Sequence, residues 1–65
     1  MANKLKKFRQ DKGQNQRQLA EASHTPQSII SSLERGRLKP WLKVAQRLSE
    51  ALGVPYQKLF PNEFN

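Results

Sequence analysis

The 65-residue sequence has no cysteine and a single histidine. Disulfides and thiolate metal sites are therefore excluded, and one imidazole cannot hold a metal by itself. Long apolar runs are also missing: none approaches the roughly 20 residues that cross a bilayer. Lysines stand near the amino terminus, but no apolar segment follows them, so the pattern of a secretory signal is absent. Acids are scarce. Five Asp and Glu face twelve Lys and Arg, for a formal charge of +7 and a pI near 10.4. These features predict a soluble, cytoplasmic chain in a reducing compartment, with a polyanion rather than a membrane as its partner. The length suits one small domain, residues 1–65, near the lower limit at which a core holds without staples.

No linker, repeat or low-complexity tract divides the chain. Instead its three glycines and four prolines are spread at intervals: Gly13, Pro26, Gly36, Pro40, Gly53, Pro55 and Pro61. Glycine favours the position just past a helix end and proline the first helical turn. This punctuation predicts five helices, near residues 3–12, 16–23, 26–35, 40–52 and 55–60. No segment alternates with the period of a half-buried strand, so the fold class is all-α. Asn15 is expected to cap the second helix, with Gln18 completing a capping box. Thr25 is expected to cap the third, with Pro26 at its first position. Pro40 and Pro55 would open the last two helices in the same way, though Lys39 and Val54 before them are poor caps.

Apolar residues recur at helical spacing. Leu5 and Phe8 serve the first helix, Leu19 and Ala20 the second, and Ile30 and Leu33 the third. Leu42, Ala45, Leu48 and Leu52 form one stripe of the fourth, onto which Val54, Leu59 and Phe60 close the chain. The third helix, within "TPQSIISSLERGR", is unusual in its serines, which are mediocre helix formers. At about 100° per residue, Ile30 and Leu33 define the buried side. Ser28, Ser31, Ser32 and Arg35 fall opposite, with Gln27 at the edge of that face and Ile29 at its boundary. Small side chains let a helix approach another surface closely. Gln, Ser and Arg can all hydrogen-bond base edges in the major groove, which admits an α-helix.

The second and third helices are separated only by "SHT", the arrangement of a helix-turn-helix whose second member enters the major groove. The stretch "KGQNQRQLAEASHTPQSIISSLERGRLKP" resembles the Cro and repressor (XRE-type) helix-turn-helix family. Gly13, Asn15, Gln16, Leu19, Ala20, Ile30, Leu33, Glu34 and Gly36 occupy that family's characteristic places, and "LSEALGVPYQKLF" is similar to its fourth and fifth helices. The resemblance covers residues 4 to 60. It implies a compact five-helix, lambda-repressor-like domain that binds double-stranded DNA and regulates transcription, more often by repression.

By the same resemblance, Gln27 and Ser28 occupy the main base-reading positions, and Ser31 and Ser32 later base-facing or sugar-facing ones. Gln16 would contact a phosphate, with Asn15 beside it. Arg17, Arg35, Arg37 and Lys39 are further phosphate candidates, which supply affinity rather than sequence information. Lys4, Lys6 and Lys7 could reach phosphates or serve solubility. Family members often pair an arginine of the first helix with the glutamate near the end of the third, which implies a structural ion pair between Arg9 and Glu34. Two departures stand out. His24 sits in the turn where glycine is common, a change histidine can accommodate in left-handed backbone. Gln14 replaces the usual apolar residue after Gly13.

Family members usually act as twofold dimers, which implies a homodimer here. Val54, Tyr56, Leu59, Phe60 and Phe64 are candidates for self-association or for closing the monomer core, and Trp41 for the core or a dimer interface. An alternative is an antitoxin-type module that binds a toxin protein and its own operator, although only about five residues follow the last predicted helix. No nucleophile–base pair, apolar carboxylate pair, metal-ligand set or glycine-rich phosphate loop is present. The expectation is a protein that is not an enzyme, with no cofactor, metal or small-molecule ligand.

Overall fold

The structure, a computed structural model, describes residues 3–64. Among these residues it contains five helices and no strand: α1 (Leu5–Asp11), α2 (Gln16–Ser23), α3 (Gln27–Glu34), α4 (Leu42–Leu52) and α5 (Tyr56–Leu59). Helix α2 packs against α3 and α4, α4 also meets α5, and α1 lies against α3. One apolar core joins them. Leu5, Leu19, Ile30, Leu33, Val44, Ala45, Leu48, Leu52, Leu59 and Phe60 are buried in it. Phe8, Ala20, Ile29 and Val54 are packed on it from the side.

The prolines sit earlier in the helices than the punctuation predicts. Pro26 and Pro55 are the cap residues themselves, with φ near −55° and ψ near 140°, so α3 and α5 begin one residue later. Thr25 does not cap α3. It is buried, and its hydroxyl donates to the Ser23 carbonyl at 3.2 Å. A residue preceding proline is pushed towards extended backbone, and here the Pro26 carbonyl accepts the first bond of α3, from Ile29. Pro40 stands two residues ahead of α4, whose cap residue is Trp41.

Leu42 also departs from its expected place: it is 51% exposed and Trp41 48%, the large exposed apolar residues among those described. The buried stripe of α4 is centred between Leu48 and Leu52. At about 100° per residue, Val44 lies about 60° from that centre and Leu42 about 100° from it. Val44 is buried in its stead. Trp41 is therefore not a core residue.

The carboxyl end closes the monomer. Leu59 and Phe60 are wholly buried and cannot form a surface patch. Phe64 turns back so that its ring meets Tyr56 edge-on at 5.2 Å and Phe60 at 6.3 Å. Edge-to-face pairs of this kind favour one packing over alternatives of equal area. At the end of α4, Gly53 adopts φ 69°, and the amides of Gly53 and Val54 both donate to the Ser49 carbonyl. The left-handed backbone there suits glycine, which has no Cβ to clash. Lys12 reaches across from the end of α1 and donates to the Ala51 carbonyl at 3.0 Å, tying the two helix ends together.

Candidate nucleic-acid interface

Helices α2 and α3 are joined by His24, Thr25 and Pro26. His24 adopts φ 54° and ψ 40°, a left-handed conformation that non-glycine residues visit sparingly. The amides of His24 and Thr25 both donate to the Ala20 carbonyl, which fastens the turn to the last turn of α2. Ser23 is buried and donates to the Leu19 carbonyl at 2.6 Å. The start of α2 is fastened equally well. The Asn15 side chain accepts from the Gln18 amide, and the Gln18 side chain accepts from the Asn15 amide, both at 2.8 Å. This reciprocal cap satisfies two groups that a helix end otherwise leaves unpaired.

On α3, Ile30 and Leu33 are buried, Gln27 and Ser28 are exposed, and Ser31 and Ser32 are half-buried. Ile29 sits half-buried between the two sides. The outer surface thus carries an amide and three hydroxyls, followed by the exposed Arg35. No side chain caps the amino end of α3. At its other end Gly36, with φ 74°, lets the chain turn away, and Arg37 and Lys39 stand exposed on the loop that follows. Arg17 is exposed on α2, 3.9 Å from Glu21. Lys7 forms an exposed pair with Asp11 at 3.0 Å. Exposed pairs of this kind contribute little to stability.

Beneath this surface lies a polar network. Arg9 donates through Nε to Glu34 Oε2 at 2.6 Å and through Nη2 to Oε1 at 3.1 Å. Its Nη1 donates to the Gln14 carbonyl at 2.7 Å. The two side chains are 8% and 4% exposed, so the pair is shielded from water and from salt. Gln16 joins the same carboxylate, donating Nε2 to Oε1 at 3.1 Å. One carboxylate at the end of α3 thus holds α1 and the start of α2. The Gln14 side-chain oxygen nearby is buried and finds no partner among the described residues, a cost that the usual apolar residue at this place would avoid.

Asn3 is a positioning residue absent from the sequence reading. Its Oδ1 accepts from the Leu5 amide at 3.0 Å and its Nδ2 donates to the Leu33 carbonyl at 2.8 Å, linking the start of α1 to the end of α3. An asparagine two residues ahead of an apolar helix position signals the first contact. Nothing local signals the second, which spans 30 residues.

Two short helices in contact and joined by a fastened three-residue turn, the second exposing a polar face ahead of a basic loop, define a helix-turn-helix domain. A family model described as Helix-turn-helix matches residues 5–59. The uncharacterized HTH-type transcriptional regulator y4dJ of Sinorhizobium fredii (strain NBRC 101917 / NGR234) is 38% identical over 53 residues, which cover 82% of this chain and 69% of that protein. The chain belongs to the helix-turn-helix family, of the XRE type, whose members are DNA-binding transcription regulators rather than enzymes.

Proposed function

We propose that this chain is a sequence-specific regulator of transcription that binds double-stranded DNA and acts by repression. Residues 1–65 work as one DNA-binding domain, in the cytoplasm, without a cofactor or small-molecule ligand. Helix α3 lies in the major groove. Two copies occupy a pseudo-palindromic operator with half-sites about 34 Å apart, one turn of DNA. The observation that carries this reading is the outer face of α3, where Ser28, Ser31 and Ser32 stand opposite the buried Ile30 and Leu33, with the exposed Gln27 at the edge of that face.

Gln27 reads a base edge directly, since its amide can pair bidentately with adenine. The three serines reach less far and read through short or water-bridged contacts. Asn15, Gln16, Arg17, Arg35, Arg37 and Lys39 contact the phosphates. For Gln16 the structure supports a particular form of this role. Its Nε2 is held by Glu34 at 3.1 Å, and an amide nitrogen has a second hydrogen to offer. The Arg9–Glu34 pair orients α3 and does not itself read.

Selecting binding sites from random-sequence duplex DNA at fixed salt tests the proposal. A symmetric consensus with one-turn spacing is the expected result; absence of any enriched sequence would reject it. Gln27→Ala should reduce discrimination between that consensus and random DNA by about 1–3 kcal/mol while sparing non-specific affinity. An equal loss on both duplexes would remove Gln27 as a reader. Arg37→Ala should weaken binding to all DNA alike and lower the slope of log affinity against log salt by about one. An unchanged slope would remove Arg37 from the phosphate contacts.

A further inference from the structure

Between Glu34 and Glu50 the chain holds five cations, Arg35, Arg37, Lys39, Lys43 and Arg47, and no acid. All five are exposed, and among the described residues none enters an ion pair. Trp41 and Leu42 stand in the middle of this run, at the head of α4, 48% and 51% exposed. Two half-covered apolar residues would not mark a site by area alone. Their setting does, because Trp and Arg are the residue types that most often carry the energy of a protein interface, and the cations on both sides stand without a counter-charge. We propose that this surface binds an acidic polypeptide segment carrying large apolar side chains, and that such a segment and DNA exclude one another.

Chemistry selects this occupant over others. DNA can neutralise Arg35, Arg37 and Lys39 through its phosphates, but its backbone offers Trp41 and Leu42 nothing apolar. The thymine methyls lie in the major groove, where α3 and not the head of α4 is placed. A second copy of this chain would bring the same five cations against these. A bilayer surface favours an apolar stripe along a helix, and the stripe of α4, with Val44, Ala45, Leu48 and Leu52, is buried in the core. Carboxylates beside large apolar residues answer both halves of the patch at once.

The form of the partner follows from the shape of the surface. No cavity opens among the described residues, so Trp41 projects and the occupant has to close around it. A flexible segment does that at the cost of its own ordering, which keeps affinity low. Charge then contributes encounter rate and a dependence on salt. Lys39 is two residues from Trp41 and Arg37 four. A segment seated on the apolar pair therefore reaches the loop cations that phosphates would use. The exclusion rests on the DNA-binding reading above, whereas the polypeptide contact does not. A partner of this kind would release the regulator from its operator.

Selection of random-sequence peptides on the immobilised chain, with counter-selection on the double variant Trp41→Ala with Leu42→Gln, tests both parts. Peptides that combine Asp and Glu with large apolar residues are expected to be enriched. With the most enriched peptide, emission from Trp41, the sole tryptophan, should move to shorter wavelength, and affinity should fall as salt rises. Trp41→Ala and Leu42→Gln should each weaken that peptide by about tenfold or more, read by anisotropy of a label on the peptide, while affinity for DNA stays unchanged. Replacing the apolar residues of the peptide with Ser should weaken it equally. Added peptide should displace the duplex selected from random DNA in a competitive manner.

No enrichment, or enrichment of acidic peptides whose apolar residues are dispensable, would overturn the proposal. So would a shift of Trp41 emission on duplex DNA or on vesicles of anionic lipid in place of the peptide, which would give the patch a different occupant. Duplex and peptide bound together without mutual weakening would overturn the exclusion. Failure to bind any duplex while the peptide still binds would remove the DNA-binding reading and the exclusion, and leave the polypeptide contact standing.

Discussion

Arg9→Ala is expected to destabilise the fold by about 3–5 kcal/mol, as measured by urea unfolding, and to lower DNA affinity only through that loss. The guanidinium is almost fully buried and makes three hydrogen bonds, two of them to Glu34. Removing it strands a carboxylate that is 4% exposed, which leaves a charge in a low-dielectric site with no counter-charge and only the Gln16 amide as a donor. At about 0.05–0.15 kcal/mol per residue, a chain of this size has about 3–10 kcal/mol in all. The variant should therefore lose from about a third to all of its stability. The double variant Arg9→Met with Glu34→Leu should recover part of the loss, because no buried charge is left alone. Recovery would be incomplete, since the Gln14 carbonyl and the Gln16 amide both lose a partner. A single variant as stable as the parent would show that the pair contributes nothing.

Phe60→Ala is the second large effect, with an expected loss of about 3–5 kcal/mol. Phe60 is the bulkiest wholly buried side chain. It stands where α5 and the turn after it close on α4, and it is one of the two rings against which Phe64 packs, Tyr56 being the other. Its removal takes away the transferred surface and leaves a cavity that the short α5 cannot fill by shifting, because the Lys4 amide is bonded to the Leu59 carbonyl at 3.0 Å. In a domain this small each kcal/mol moves the melting temperature by roughly 4–8 °C. The expected fall thus exceeds about 12 °C. A loss below about 1 kcal/mol would mean that α5 and the tail are not part of the cooperative unit.

Several of these features were legible in the chain before folding. The bounds of α2 coincide with those expected, because Asn15 and Gln18 sit at the spacing a capping box requires and both act locally. The division of α3 into an apolar and a polar side follows from periodicity alone. Where the reading departed from the structure, the deciding contact was distant or the local signal ambiguous. Thr25 has the chemistry of a cap, but proline after it changes the backbone, and its hydroxyl turns inward to Ser23. Leu42 has the helical spacing to Ala45 that suggests the stripe, yet Val44 has the better angle to its centre and is the residue buried. Asn3 bonded to Leu33, Lys12 to Ala51 and Gln16 to Glu34 are tertiary pairings separated by 18 to 39 residues, and no local pattern announces them. The fold itself supports the expected face of α3, while the identity of each reader is a matter for DNA.

The serines of α3 have a final consequence. Ile30 and Leu33 anchor the helix from below, and its end is held by Asn3 and Arg9. Ser28 takes no part in that anchorage, and Ser31 and Ser32 are only half-covered. Exchange of Ser28 for a longer polar residue should therefore leave the scaffold intact while altering which bases are favoured. On the proposed reading, such a protein would be retargeted one side chain at a time, and lineages descended from it would diverge in the promoters they govern without first losing the ability to fold.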